Sequence, residues 1–266
     1  MGSPASASSS MGRSYPVGSV TGIRVRAHVL LPVYTVVSAL GPLSAGSALA
    51  TANALLVHGP LLWLTVLFHE LCHCWAARRV GTHVEEILLW PLGGLAFIGR
   101  TPSACADMGV AAAGPSSHAP MLALFAGLLA AANGGVVGAE GLSLAGNFWG
   151  VVCYEMLLLN GAMAVFNLCL PVYPLDGGRI FADALLLRGL SAGAAAGVVV
   201  AVSVPLILGL AALGAWTLAV GSGGSGVLTL LVAGWMAVQT KQVYDLRAKG
   251  LAGLHPLFGN EVGQSG

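Results

Sequence analysis

Charge is nearly missing from this chain, and that scarcity limits what it can fold into. Its 266 residues carry 11 Lys and Arg and 10 Asp and Glu, 8% of the total, against about 25% in soluble globular proteins. So few charges cannot cover a water-exposed surface of this size, while 56% of the residues are hydrophobic and a further 38 are glycine. The composition excludes an ordinary soluble enzyme and a disordered chain. A net charge of +1 gives no electrostatic hold on polyanions, so nucleic acid is excluded as a partner. The expected partner of this surface is the lipid bilayer.

Six apolar runs are long enough to cross a bilayer, at approximately residues 28–47, 54–80, 104–132, 148–171, 192–220 and 226–243. The basic residues fall between them in a regular way. Arg13, Arg24 and Arg26 precede the first run, and Arg78, Arg79 and Arg100 lie at or after the end of the second. Arg179 and Arg188 lie between the fourth and fifth, and Lys241, Arg247 and Lys249 end or follow the sixth. With six spans every one of these segments is on one face, and the opposite loops hold no Lys or Arg. The positive-inside rule puts that face, and both termini, in the cytosol. The expected fold is an all-α polytopic membrane protein of about six transmembrane helices. Residues 1–27 read as a cytosolic N-terminal tail and lead-in, 28–245 as the helical core, and 246–266 as a short cytosolic C-terminal tail.

Two segments break this pattern. The start, MGSPASASSSMGRSYP, lacks the continuous apolar core of a signal peptide and reads as a tail, a targeting remnant or an appended expression segment. Thr82 to Arg100 contains VEEILLW and LAFIG around PLGG. It reads as a short β-hairpin or re-entrant segment after the second span, or as a plain connecting loop. The five cysteines are odd in number and sit mostly in apolar runs, so they read as small hydrophobes rather than a disulfide framework.

Ionisable groups inside an apolar span are costly and mark function by default. The second run reads LLWLTVLFHELCHCWAA, with His69, Glu70 and His73. Positions i and i+4 share a helical face, so both histidines can reach one metal, with Glu70 beside it to handle a proton of water. From this composition, H-E-x-x-H is expected by chance about 0.004 times. A catalytic zinc needs a third protein ligand and an open position. Glu85 and Glu86 lie outside the span, Glu155 lies midway along the fourth run, and Asp183 follows a helix start. Asp176 follows two helix-breaking prolines and precedes Gly177 and Gly178, which permit a close backbone approach. By itself Asp-Gly-Gly is a common turn signal. Beside a two-histidine site it is the leading third ligand.

H-E-L-C-H in an early span, followed by N-L-C-L-P-V-Y-P-L-D-G-G, resembles the site-2 protease family of intramembrane zinc metalloproteases. The resemblance runs from about residue 18 to residue 245, with support from GIRVRAHVLLPV, WPLGGLAFIGR and AAAGPSSHAP. It implies one Zn²⁺ held by His69, His73 and Asp176, Glu70 as the catalytic acid/base, and Asn167 holding substrate or the oxyanion. It also implies hydrolysis of a peptide bond in or next to a transmembrane segment of a membrane-protein substrate. The motif closes the second run at its Arg78-Arg79 end, so the charge pattern puts the active-site opening on the cytosolic side. Cys72 stands where the family often has glycine, and His118 where its third span often has asparagine; a polar contact to substrate and an interior structural histidine are both open for His118. No regulatory domain is expected after the last span.

Two other classes remain open at this stage. A multi-pass metal-ion transporter also places His and Glu on its helices, but Cys74 stands where the related H-E-x-x-H-E pattern has its second Glu, and a His-rich loop is missing. A non-catalytic zinc-binding scaffold would have no specific need for Glu70.

Overall fold

The computed structural model describes residues 13–91, 93–221 and 223–258, side chains of 223–225 aside. Residues 1–12 and 259–266, parts of the two expected tails, lie outside the described residues. In chain order the elements are β1 (Ser14–Val20), β2 (Ile23–His28), α1 (Leu30–Ser44), α2 (Ala48–Leu56) and a π-helical turn (Val57–Leu61). There follow α3 (Leu62–Arg79), β3 (Val84–Trp90), β4 (Gly93–Ile98), α4 (Ala104–Ser116), α5 (His118–Ala132) and α6 (Phe148–Cys169). The chain continues through α7 (Asp176–Leu187), α8 (Ala192–Ala219), α9 (Gly223–Ala248) and two 3₁₀ turns, Ala252–Leu254 and Pro256–Phe258.

The protein is mostly helical, as expected, but it is not all-α. The hairpin after the second span is present as β3 and β4. The residues read as a lead-in add β1 and β2, giving a four-stranded sheet of order β1-β2-β3-β4. Thr21 and Gly22, at φ +50° and +77°, form the tight turn of the first hairpin. The second strand then pairs in parallel with β3 from Arg24↔Glu86 to Ala27↔Leu89. Four helical stretches are long and apolar enough to cross a membrane: Ala48–Arg79, Ala104–Ala132, Phe148–Cys169 and Ala192–Ala219. Among the described residues, these four stretches match four of the six expected spans by length and composition. α1 has 15 residues, about 22 Å of rise, and α9 carries Lys241, Asp245 and Arg247 toward its end. Leu64, Leu208, Trp216 and Leu231 each expose more than half their surface. Apolar surface of this kind suits lipid and not water. The chain is a membrane protein.

The chain divides into two compact units. The first comprises the described parts of Met1–Cys74, with Val84–Gly99 and Ser116–Met163. Its helical path breaks at Val57–Leu61, where Gly59 leaves helical dihedrals and Pro60 removes a backbone donor. Val57, Val152 and Met156 form an apolar core there. Nearby, the Asn53 amide donates to both oxygens of Glu155 at 3.0 and 2.9 Å, satisfying a carboxylate within an apolar helix.

The second unit comprises Trp75–His83, Arg100–Pro115 and the described part of Ala164–Gly266. Here α8 packs along α9 at small residues. A Cβ on Gly226 would lie 2.9 Å from the Gly214 carbonyl oxygen, too close for any side chain. Leu257 and Phe258 fold back into a core with Ala182, Leu186, Ala195 and Val199. Arg179 of α7 bonds Asp107 of α4 at 2.9 Å, and Thr101 donates to the same carboxylate oxygen at 3.2 Å.

Asp183, on the same helix as Arg179, is fully buried. Burial, and next the charge of Asp107, push its carboxyl up to about 8, against the opposing pull of Arg179. A folded-state pKa above the unfolded one contributes stability that is complete below the unfolded value and is lost as pH rises through the folded value. The melting temperature of the purified protein is therefore expected to fall between pH 5 and pH 8. Asp183 accounts for at most about 1.4 kcal/mol per pH unit of that loss. Asp183→Asn is expected to flatten the dependence, read by thermal unfolding across that range.

Candidate metal centre and active site

The sequence places His69, Glu70 and His73 on α3, and the helix brings them together. All three are buried, at 4%, 7% and 3% exposure, and their potential ligand atoms lie within 4.8 Å of one another. The Nε2 atoms of His69 and His73 are 3.1 Å apart. Two nitrogens held at about 2.0 Å by one tetrahedral ion stand about 3.3 Å apart. One helical turn therefore sets both rings at the spacing a single metal requires, and the group can hold a metal ion.

Glu70 is covered by the sheet. A Cβ on Gly94, the second residue of β4, would overlap the Glu70 Cγ and lie 2.7 Å from its Cδ and Oε1. Only glycine allows the strand backbone to rest on this carboxylate. Reading PLGG as hairpin punctuation misses this second role. The available signal was the pair Gly93-Gly94, of which only Gly93 has a positive φ, at +138°. Gly94 is needed for close contact instead.

A line of polar groups continues from His69. Its Nδ1 lies 3.1 Å from Nε2 of His118. The Nδ1 of His118 lies 3.0 Å from Oδ1 of Asn160. The Asn160 amide donates to the Met156 carbonyl at 2.8 Å. Both His118 and Asn160 are fully buried. The sequence singles out His118 but not Asn160, whose lone amide in LLLNGAM reads like any polar contact between apolar helices.

Asp176 and Asn167 belong to the second unit. Asp176 is the first residue of α7 and is 7% exposed. A Cβ on Gly177 would lie 2.6 Å from the Leu170 carbonyl oxygen and 2.7 Å from that of Leu168. One on Gly178 would lie 2.5 Å from the Tyr173 nitrogen. The diglycine thus seats the start of α7 directly on the backbone of the proline-rich break, which fixes where Asp176 stands in its unit. Asn167 lies half-buried in the last turn of α6. The acids set aside as ligands have other neighbours: Glu86 lies 3.8 Å from Arg24, Glu155 takes both bonds from Asn53, and Asp183 lies in the field of Asp107 and Arg179.

No protein-family model matches the chain. Two curated relatives carry zinc metalloprotease in their names. Rip3 of Mycobacterium tuberculosis is 34% identical over 175 residues, 62% of this chain and 42% of that protein. MJ0392 of Methanocaldococcus jannaschii is 30% identical over 126 residues, 45% of this chain and 32% of that protein. The chain spans less than half the length of these relatives. Among solved structures, a site-2 protease from Methanocaldococcus jannaschii matches with a TM-score of 0.57 at 23% identity, over 86% of this chain and 94% of that one. The resemblance carried by two sequence motifs is thus accompanied by the fold of a solved site-2 protease.

Proposed function

We propose that the chain is an intramembrane zinc metalloprotease that hydrolyses a peptide bond in or next to a transmembrane segment of a membrane-protein substrate. The observation that carries this reading is the buried His69–Glu70–His73 group on one turn of an apolar helix. Ionisable side chains inside an apolar helix mark function by default. The spacing of the two Nε2 atoms fits one tetrahedral ion, and the names of the curated relatives agree.

In this reading His69, His73 and Asp176 hold one Zn²⁺. When bound, zinc lowers the pKa of water toward about 7 and polarises the scissile carbonyl. Glu70 accepts the proton of the attacking water and returns it to the leaving amine. Asn167 holds the substrate backbone or the developing oxyanion. An outer strand of the sheet, β4, rests on Glu70 through Gly94. An unwound substrate segment added along β4 would lie beside the carboxylate that acts on it.

The finer topology belongs to the same proposal. With α1 and α9 added to the four long apolar stretches, six spans put all eleven basic residues on one face. Both termini and the active-site opening are then cytosolic. The zinc motif lies near the Arg78–Arg79 end of α3, which favours water reaching it from that side.

Three substitutions test these roles. Glu70→Gln is expected to keep zinc and to lower cleavage of a membrane-anchored reporter by about 10²- to 10⁴-fold. Asp176→Ala is expected to weaken zinc binding by at least about tenfold, measured by metal analysis after dialysis; zinc retained as in the wild type would remove Asp176 from the ligand set. Gly94→Ala is expected to leave zinc content unchanged while displacing Glu70, with about a 10²-fold loss of turnover.

A further inference from the structure

His118 and Asn160 are both fully buried and joined in one line of hydrogen bonds to His69. The direction of that line follows from its far end. A backbone carbonyl can only accept, so the Asn160 group 2.8 Å from the Met156 oxygen is its NH₂. The Asn160 amide oxygen therefore faces His118 and accepts from it, so the His118 Nδ1 carries the ring proton. A neutral imidazole has one N–H, which leaves the His118 Nε2 as an acceptor. That nitrogen lies 3.1 Å from Nδ1 of His69, so the His69 Nδ1 carries its proton and donates. The His69 Nε2 is then left with a lone pair, and it is the nitrogen 3.1 Å from Nε2 of His73.

We propose that Asn160 and His118 are positioning residues that lock His69 in its Nδ1–H tautomer, so that its Nε2 meets zinc already in the ligating form. The proposal rests on the reading of His69 as a zinc ligand. Metal-bound histidines commonly donate their second ring N–H to a carboxylate or a carbonyl. Here a second histidine takes that place, and it can do so only because Asn160 fixes its tautomer in turn. The carbonyl of Met156 is the fixed point from which the order of protons is set, 13 residues before the end of α6.

The test uses the full chain in detergent and in lipid bilayers. Zinc affinity is measured by competition with a chromogenic chelator for the wild type, His118→Leu, His118→Gln and Asn160→Leu. Leu removes the acceptor that faces His69, and zinc is expected to bind about 10- to 100-fold more weakly. The amide oxygen of Gln falls near the position of the histidine Nε2, so His118→Gln is expected to stay within about threefold of the wild type. Asn160→Leu leaves His118 free to take either tautomer and is expected to weaken zinc by about tenfold. Zinc held by His118→Leu as tightly as by the wild type overturns the proposal. So does an equal loss in His118→Gln and His118→Leu, which would show a packing role only.

A second measurement does not depend on any His118 or Asn160 variant folding. Solid-state ¹⁵N spectra of the zinc-free, histidine-labelled chain, with the His69 signals identified by their loss in His69→Gln, report which ring nitrogen carries the proton. Protonation at Nδ1 is expected, and protonation at Nε2 overturns the proposal. A wild-type chain that binds no zinc would instead defeat the metalloprotease reading and leave the tautomer result standing on its own.

Discussion

Polar side chains buried in an apolar chain must satisfy one another, and the first unit is organised by that demand. His69, Glu70, His73, His118 and Asn160 are each at most 7% exposed. An unpaired polar group in such surroundings costs several kcal/mol. The line from Asn160 through His118 to His69 answers that cost with directed hydrogen bonds, and His73 is held against the far side of the His69 ring. The two imidazole Nε2 atoms stand within hydrogen-bond distance of each other, at 3.1 Å. That separation is also close to the spacing of two nitrogens on one tetrahedral ion.

The sheet serves the same group from another direction. A strand that crosses a carboxylate needs a position without a Cβ, and Gly94 supplies it. The sheet itself is secured by the parallel pairing of β2 with β3, which ties residues 24–27 to 86–89. In the second unit the diglycine after Asp176 does similar work by a different contact. It lets the first turn of α7 press on the carbonyls of Leu168 and Leu170. Gly94 and the Gly177-Gly178 pair both act by allowing close approach at a carboxylate-bearing residue, while Gly93 supplies a positive φ.

Local periodicity made part of this legible. The i, i+4 spacing of His69 and His73 is a property of any helix, so the metal-binding face could be read from five residues. The strand pair at 84–98 was legible because β-branched and aromatic residues flank a Pro-Gly turn. The strands before the first helix were not: β1 and β2 form a local hairpin marked only by Thr21-Gly22, and the pairing of β2 with β3 joins segments some sixty residues apart and leaves no local mark on IRVRAH. Span counting was legible for the four long apolar stretches and less so for the first and last runs. Apolar composition shows that a segment prefers lipid, but not that its helix is continuous, and α1 ends after 15 residues, with Gly46 at φ +71° soon after. Asn160 was hidden because one amide in an apolar run looks the same whether it steadies a helix pair or orders the protons of a metal site.

The claim at the centre is that the buried His-Glu-His group holds zinc for proteolysis within the membrane. Its most direct test is to reconstitute the full chain in lipid vesicles with a membrane-anchored reporter, and to measure zinc per chain and the position of any cut by mass spectrometry. The expected result is one zinc per chain and a cut in or next to the reporter's transmembrane segment, abolished by a chelator and restored by zinc. Zinc-loaded protein that cleaves no reporter while zinc passes across the vesicle wall would contradict it.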